Sequence, residues 1–427
     1  MPSSDTNPKS GKQKKRVLSG MRPTGPLHIG HYFGALLNWL DMQEGYDCYF
    51  FVADWHALTT HYADTSQIAQ NTLEVATDWL AVGLDPAKST IFVQSFVPEH
   101  AELHLLLSMI TPLSWLERVP TYKEQIENLR DKDLGTYGFL GYPLLQSADI
   151  VIYGEPKREL IVPVGEDQVP HVELTREIVR RFNAAFGRVD WKKARAKALD
   201  HVAEYLKKRL FVDYEGDAAR NSMILENINR ITVEERLSVL SNAGLPLKRV
   251  LIEPRAMLTE TPRLPGTDGR RMAKSYGNAI WLSESPDSIR EKVRNMMTDP
   301  QRVRRTDPGR PEVCPVFAYH KLFSDSGTIA MVDRDCRTAA IGCVDCKKLM
   351  ADALVKWIEP IQTRRRDFEA HPKRVWEILD AGSAEARKAA KKTMKRVREA
   401  IFGWERVRKA ADARFLTEKA APGKTSG

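Results

Sequence analysis

The sequence predicts an α/β fold: a parallel sheet with helices on both faces, followed by an all-helical C-terminal part. Three observations carry this. The short apolar runs 47–53 and 90–94 have the composition of strands buried on both faces, and segments of helical period alternate with them. A glycine-rich turn joins a strand end at Val17 and Leu18 to a helix opening at Leu27. Beyond Lys348 the apolar stripes all have helical spacing. A chain of 427 residues, 42% apolar, has room for two or three domains.

The first turn, SGMRPTGPLHIGH at 19–31, contains Gly20, Pro23, Gly25 and Pro26, which break regular structure. Ile29, Tyr32, Phe33, Leu36, Leu37 and Leu40 then repeat as in a helix. A strand, a glycine turn and a helix start make an anion site, because unpaired backbone N–H groups point outward there. His28 and His31 share a face of that first helical turn, and Gly30 leaves room for close approach. Two imidazoles so placed can stabilise charge developing on a phosphate. Strand 47–53 carries Cys48, expected to be an inert core residue. Helix 65–82 ends at Gly83, and strand 90–94 leads to helix 99–109. Ligands on such sheets bind at the carboxyl ends of strands, where the 19–31 turn lies.

Next, in GYPLLQSADIVIY at 141–153, Tyr142, Gln146 and Asp149 fall on one helix face among apolar neighbours. A carboxylate in such surroundings needs a partner. Strand end 160–164 runs into Gly165, Glu166, Asp167 and Gln168, and helix 169–182 follows. Residues 188–249 read as an insertion of two or three helices, with a solvated basic run in 191–209 and a capping box at Thr232 and Glu235. A second cationic segment, GRRMAKS, occupies 269–275. Late in the chain, helix 384–402 carries Arg387, Lys388, Lys391, Lys392, Lys395, Arg396 and Arg398, read as a phosphate-binding surface.

A net charge of +9 favours a polyanionic partner. No run approaches the roughly 18 apolar residues of a membrane span, and 1–16 lacks the apolar core of a signal peptide. A cytoplasmic location is expected, with disordered tails at 1–16 and 417–427. Cys314, Cys336, Cys343 and Cys346 are spaced C-x21-C-x6-C-x2-C. In a cytoplasmic chain that clustering points to a metal rather than disulfides, and thiolates suit both zinc and iron–sulfur groups.

The 19–31 turn resembles the HIGH signature of class I aminoacyl-tRNA synthetases, and RMAKS their KMSKS loop. With YPLLQSADI and VPVGEDQVPHVELTRE added, the chain resembles bacterial tryptophanyl-tRNA synthetases over nearly all of 17–182 and 250–310 and much of the C-terminal half. This resemblance implies a Rossmann-type catalytic domain at 17–187, resumed at 250–300 after the insertion. It also implies a helical anticodon-binding domain at 301–416. The implied reaction activates L-tryptophan with Mg2+ and ATP, then charges tRNA(Trp), in a homodimer.

By the same likeness, His28, His31, Lys274 and Lys123 are catalytic. Arg22, Pro23, Thr24, Gly30, His31, Gly165, Glu166, Asp167, Arg271, Met272, Ala273, Lys274 and Ser275 bind ATP. Asp149 accepts the indole N–H, Tyr142, Gln146 and Gln168 help hold tryptophan, and Val162 and Val164 line its pocket. The four late cysteines resemble those of a subset with a [4Fe–4S] cluster. Adenylation is expected to be independent of them, since they fall in another domain. Arg271 and Ala273 depart from the family's Lys and Ser, and Arg271 offers a rigid fork in place of a point donor. Tyr142, Gln146 and Asp149 also fit a tyrosyl-tRNA synthetase, the alternative reading. A small-molecule adenylyltransferase and a non-catalytic RNA-binding paralogue are the other rivals.

Overall fold

The computed structural model describes residues 13–119, 135–259 and 264–420. Its chain forms two compact units, 1–96 with 258–383, and 97–257 with 384–427. These units cut across the segments expected from the sequence. The cysteine region falls in the same unit as the 19–31 turn.

In the first unit, β1 (Arg16–Met21), β2 (Asp47–Val52) and β3 (Ser89–Val93) pair in parallel, in the order β3-β2-β1. Val17, Leu18, Phe50, Val52, Ile91 and Phe92 are buried, as strands covered on both faces require. Cys48 lies in β2, where burial pushes its thiol up to about 12, so it is an inert core group. Helix Ile68–Val82 buries Val75, Ala76, Trp79 and Leu80 and stops at Gly83. The larger of these, such as Val75 and Leu80, each stabilise the fold by roughly 1.5–3 kcal/mol before entropy is charged against them.

The helix expected from Leu27 is not uniform. One α-turn (Ile29–His31) passes into a π-helical turn (Tyr32–Leu36) before α-helix resumes at Leu37–Gly45. Such widened turns are frequent at functional sites. Here the adjacent Tyr32 and Phe33 both reach Trp357, at ring distances of 4.9 and 5.7 Å. Trp357 belongs to helix Cys343–Ala370 of the same unit.

In the second unit, helix Glu99–Ser108 packs on helix Tyr137–Val151, and the latter on helix Val169–Phe186. β4 (Leu160–Val164) leads into the last of these. The insertion begins and ends with a short antiparallel pair, β5 (Arg188–Val189) and β6 (Leu247–Lys248), around helices Ala196–Leu210, Gly216–Asn227 and Val233–Ala243. They enclose their own core of Val202, Ala203, Leu206 and Ile224. Thr232 Oγ1 accepts the Glu235 N–H at 3.1 Å, and Glu235 returns a bond to the Thr232 N–H. At the C-terminal end, a helix runs from Trp404 to Ala420, through part of the segment expected as a tail.

The basic run 384–402 lies within the longer helix Pro372–Phe402. Arg387 pairs with Glu99, Arg398 with Glu102, Lys388 with Glu385 and Lys395 with Glu405. Arg396 donates to the Gly154 carbonyl at 2.6 Å. Five of the seven cations expected to meet phosphate are therefore engaged within the protein. Among the described residues, no helix is long and apolar enough to cross a membrane.

Candidate active-site residues in the two units

The phosphate half is built in the first unit. Backbone bonds tie the turn after β1 to the strand-like segment after the RMAKS loop: Ile29 N–H to Ile280 O at 3.0 Å, and Leu282 N–H to Leu27 O at 2.8 Å. These bonds set the His28 backbone opposite Trp281. The His28 and His31 rings stack with centroids 3.7 Å apart. The His28 N–H donates to His31 Nδ1 at 3.2 Å, which leaves the neutral ring's proton on Nε2. Gly30 is required by close approach, since a Cβ there would lie 2.9 Å from His28 Nδ1 and 3.3 Å from Met272 Sδ. Gly25 has φ +113°, and a Cβ there would meet Lys274 Nζ at 3.3 Å.

The second loop is fastened by Asn278. Its Oδ1 accepts the Ala273 N–H at 2.9 Å, and its Nδ2 donates to Asp268 Oδ1 and the Arg271 carbonyl. Lys274 opens a single 3-10 turn, Lys274–Tyr276, and its Nζ lies 5.6 Å from the Trp281 ring centre. That Nζ and His28 Nδ1 are buried with no hydrogen-bond partner among the described residues. Burial, with Lys274 and Arg271 nearby, lowers His28 to about 4; burial, His28, Lys274 and Arg271 lower His31 to about 3. Lys274 falls to about 8 through burial, opposed by Asp78. At neutral pH the site thus holds two neutral imidazoles beside an ammonium. A phosphate bound beside them would raise all three groups toward their ordinary values.

Of the other residues expected here, Pro23 is buried, while Arg22 and Thr24 are exposed. Met272 is buried, and Arg271 and Ser275 are exposed. Lys123 lies outside the described residues. Asn278 and Trp281 had not been singled out; the signal for Asn278 was its place directly after the loop's closing Gly277.

The amino-acid half belongs to the second unit. Tyr142, Gln146 and Asp149 share a face of helix Tyr137–Val151, as their spacing predicts. Asp149 is 1% exposed, and its Oδ1 lies 2.6 Å from His100 Nδ1. His100 Nε2 lies 2.7 Å from the Tyr153 hydroxyl. The partner required by the buried carboxylate is therefore a histidine from helix Glu99–Ser108, which sequence spacing could not connect to it. Tyr142 faces His171 with rings 5.7 Å apart. Val162 and Val164 are buried on β4. Gly165 caps a 3-10 turn, Glu166–Gln168, in which Gln168 donates to Asp167 at 2.9 Å.

The four late cysteines are gathered in the first unit. Cys314 caps helix Pro315–Phe323, Cys336 lies in helix Ser326–Arg337, and Cys343 and Cys346 open helix Cys343–Ala370. Burial pushes Cys346 up to about 12, and the thiols of Cys314, Cys336 and Cys343 push it the same way. Arg302 Nη1 lies 3.6 Å from Cys336 Sγ. Among the described residues, no group of three or more His, Cys, Asp or Glu side chains is arranged to hold a metal ion.

Comparison with known proteins decides the family. A model of class I tRNA synthetases (W and Y) matches residues 9–199 and 229–359. The chain belongs to this family. It is 49% identical to a tryptophan–tRNA ligase of Ralstonia nicotianae over 398 residues, covering 91% of this chain and 98% of that one. A tryptophan–tRNA ligase of Thermotoga maritima is 47% identical over 388 residues, 90% and 98% of the two chains. The solved tryptophanyl-tRNA synthetase of Campylobacter jejuni, complexed with ADP and tryptophan, superposes with a TM-score of 0.68 at 28% identity, covering 90% of this chain and 99% of that one. The fold is thus the α/β class I synthetase fold, and the chain is an aminoacyl-tRNA synthetase.

Proposed function

We propose how these two halves divide the work of a tryptophan–tRNA ligase, the activity of relatives up to 49% identical over most of both chains. The enzyme activates L-tryptophan with Mg·ATP. A tryptophan carboxylate oxygen attacks the α-phosphorus and the bond to pyrophosphate breaks, giving tryptophanyl-AMP. A hydroxyl of the terminal tRNA(Trp) adenosine then attacks the acyl carbon, and AMP leaves. No covalent enzyme intermediate is needed, so orientation and charge stabilisation are the protein's contribution.

His28 and His31 donate to the phosphate under attack, and Lys274 holds the departing pyrophosphate. Arg22, Pro23, Thr24 and Gly30, with Arg271, Met272, Ala273 and Ser275, cradle the triphosphate, and Gly165, Glu166 and Asp167 approach the adenosine. Asp149, held by His100, accepts the indole N–H. Tyr142, Gln146, Gln168, Val162 and Val164 complete the amino-acid pocket. The observation that carries this reading is the buried Lys274 Nζ, without a hydrogen-bond partner among the described residues, beside the stacked histidines. The test is pyrophosphate exchange with tryptophan and tyrosine side by side. Exchange with tryptophan is expected; exchange driven by tyrosine instead would install the tyrosyl reading.

The finer reading of the cysteines is a [4Fe–4S] cluster, with zinc as the alternative. What supports it is the gathering of four thiols within electrostatic reach of one another, two of them at the start of one helix, although as placed they do not form a ready metal-binding group. Such a group would cross-link three helices. Anaerobic purification with metal analysis distinguishes about four irons per chain from a single zinc. Homodimerisation and a cytoplasmic site of action rest on family likeness; sedimentation of the full chain tests the first.

A further inference from the structure

Behind the phosphate half lies a buried ion pair that the reaction as described does not use. Asp78, on helix Ile68–Val82, is fully buried. Its Oδ2 accepts the Leu27 N–H at 2.8 Å, one residue ahead of His28. Its Oδ1 meets Arg365 Nη1, and Arg365 is itself 4% exposed. Arg365 also pairs with Glu74 and, at 3.1 Å, with Glu369.

A structural ion pair needs none of the surrounding arrangement. Arg365 lies on helix Cys343–Ala370, three residues after Gln362. Gln362 donates to the carbonyls of Leu282 and Glu284, at 3.3 and 2.6 Å. Leu282 in turn donates to Leu27 O. Leu27 is thus held at its N–H by Asp78 and at its carbonyl by a segment that the Arg365 helix also grips. The same Asp78 charge acts on Lys274, where it opposes the effect of burial.

We infer that Asp78 is a positioning residue of the phosphate half: it anchors the backbone ahead of His28 through the Leu27 N–H, with Arg365 holding its carboxylate in place. This rests on the adenylation reading above. Burial raises Asp78 to about 6, against the pull of Arg365 and the Leu27 N–H, so it is ionised above that pH. The charged groups acting on Asp78 are Arg365 and Glu74, from the packed helices. Asp78 is the charged group that raises Lys274, and Lys274 with Arg271 in turn lowers His28 and His31.

The experiment is pyrophosphate exchange by the full chain, with kcat/KM for ATP measured from pH 6.5 to 9.5. The wild type is expected to lose activity as Lys274 deprotonates near pH 8. Asp78→Asn keeps an oxygen for the Leu27 N–H and leaves Arg365 with two other carboxylates. It should lower kcat about tenfold, with KM for tryptophan nearly unchanged. It should also move the basic limb toward acid by on the order of half a pH unit. Asp78→Glu should return the limb, though not all of kcat. Should Asp78→Asn prove unstable, Arg365→Lys and Asp78→Glu carry the same test through the kcat and KM split. An active wild type with an unshifted limb and unchanged kcat in folded Asp78→Asn would overturn the inference. No exchange in the wild type would overturn the adenylation reading itself.

Discussion

Two clusters of candidate residues, one in each unit, solve opposite electrostatic problems. In the amino-acid half, the buried Asp149 carboxylate is met by His100, and His100 by Tyr153, so the charge has its partner before substrate arrives. In the phosphate half, an ammonium and an imidazole nitrogen are buried without partners among the described residues, and three groups are depressed from their ordinary pKa values. One half is pre-organised and satisfied, the other poised for an anion. On the proposed assignment, selection of the amino acid would rest on shape and one acceptor, and rate on charge that the reacting triphosphate completes.

The largest expected effect therefore comes from the unsatisfied half. Lys274→Ala should reduce kcat for pyrophosphate exchange by about 10²–10³, the scale of losing one preorganised donor. Lys274→Arg should keep part of the rate and remove the basic limb near pH 8, because guanidinium stays charged. A limb that persists in Lys274→Arg would assign the titration to another group.

Smaller losses are expected from the satisfied half. Asp149→Ala leaves the indole donor unpaired and should cost about 1–3 kcal/mol in kcat/KM for tryptophan. The loss should be smaller for the benzothiophene analogue, which has no N–H. Equal losses for both would mean that Asp149 acts only through His100 and helix packing.

The cysteines test whether the phosphate half depends on the far end of its own unit. They were expected to be independent of adenylation because they fell in another domain, yet they share the unit of the 19–31 turn. Cys343 and Arg365 even lie on one helix. They are 22 residues apart, about 33 Å along the axis at 1.5 Å per residue. Cys343→Ser should thus abolish any bound metal while exchange stays within about threefold of wild type. Collapse of exchange in a folded Cys343→Ser protein would show that the helix transmits the loss.

Smallest of all is Thr232→Ala in the insertion. Removing this cap should cost about 1 kcal/mol of stability, read in thermal melts, and leave exchange unchanged.

Legibility in the sequence followed the range of each interaction. β1 to β3, the one-face placement of Tyr142, Gln146 and Asp149, and the Thr232 capping box depend on neighbours a few residues apart, and all could be read there. The π-helical turn at Tyr32–Leu36 could not, because Trp357 packs on it from over 300 residues away. His100 and the Asp78–Arg365 pair escaped for the same reason. Each is a polar side chain whose partner comes from a distant part of the chain. For the cations of 384–402 the sequence shows the charges but not Glu99 and Glu102, which the fold brings to Arg387 and Arg398.

The central claim is that the phosphate half stabilises the transition state rather than merely holding ATP. Steady-state exchange by His31→Ala measures this directly. The account predicts a fall in kcat of about 10² or more with KM for ATP within a few-fold of wild type. A large rise in KM for ATP with kcat unchanged would contradict it, and would make His31 a ground-state binding residue.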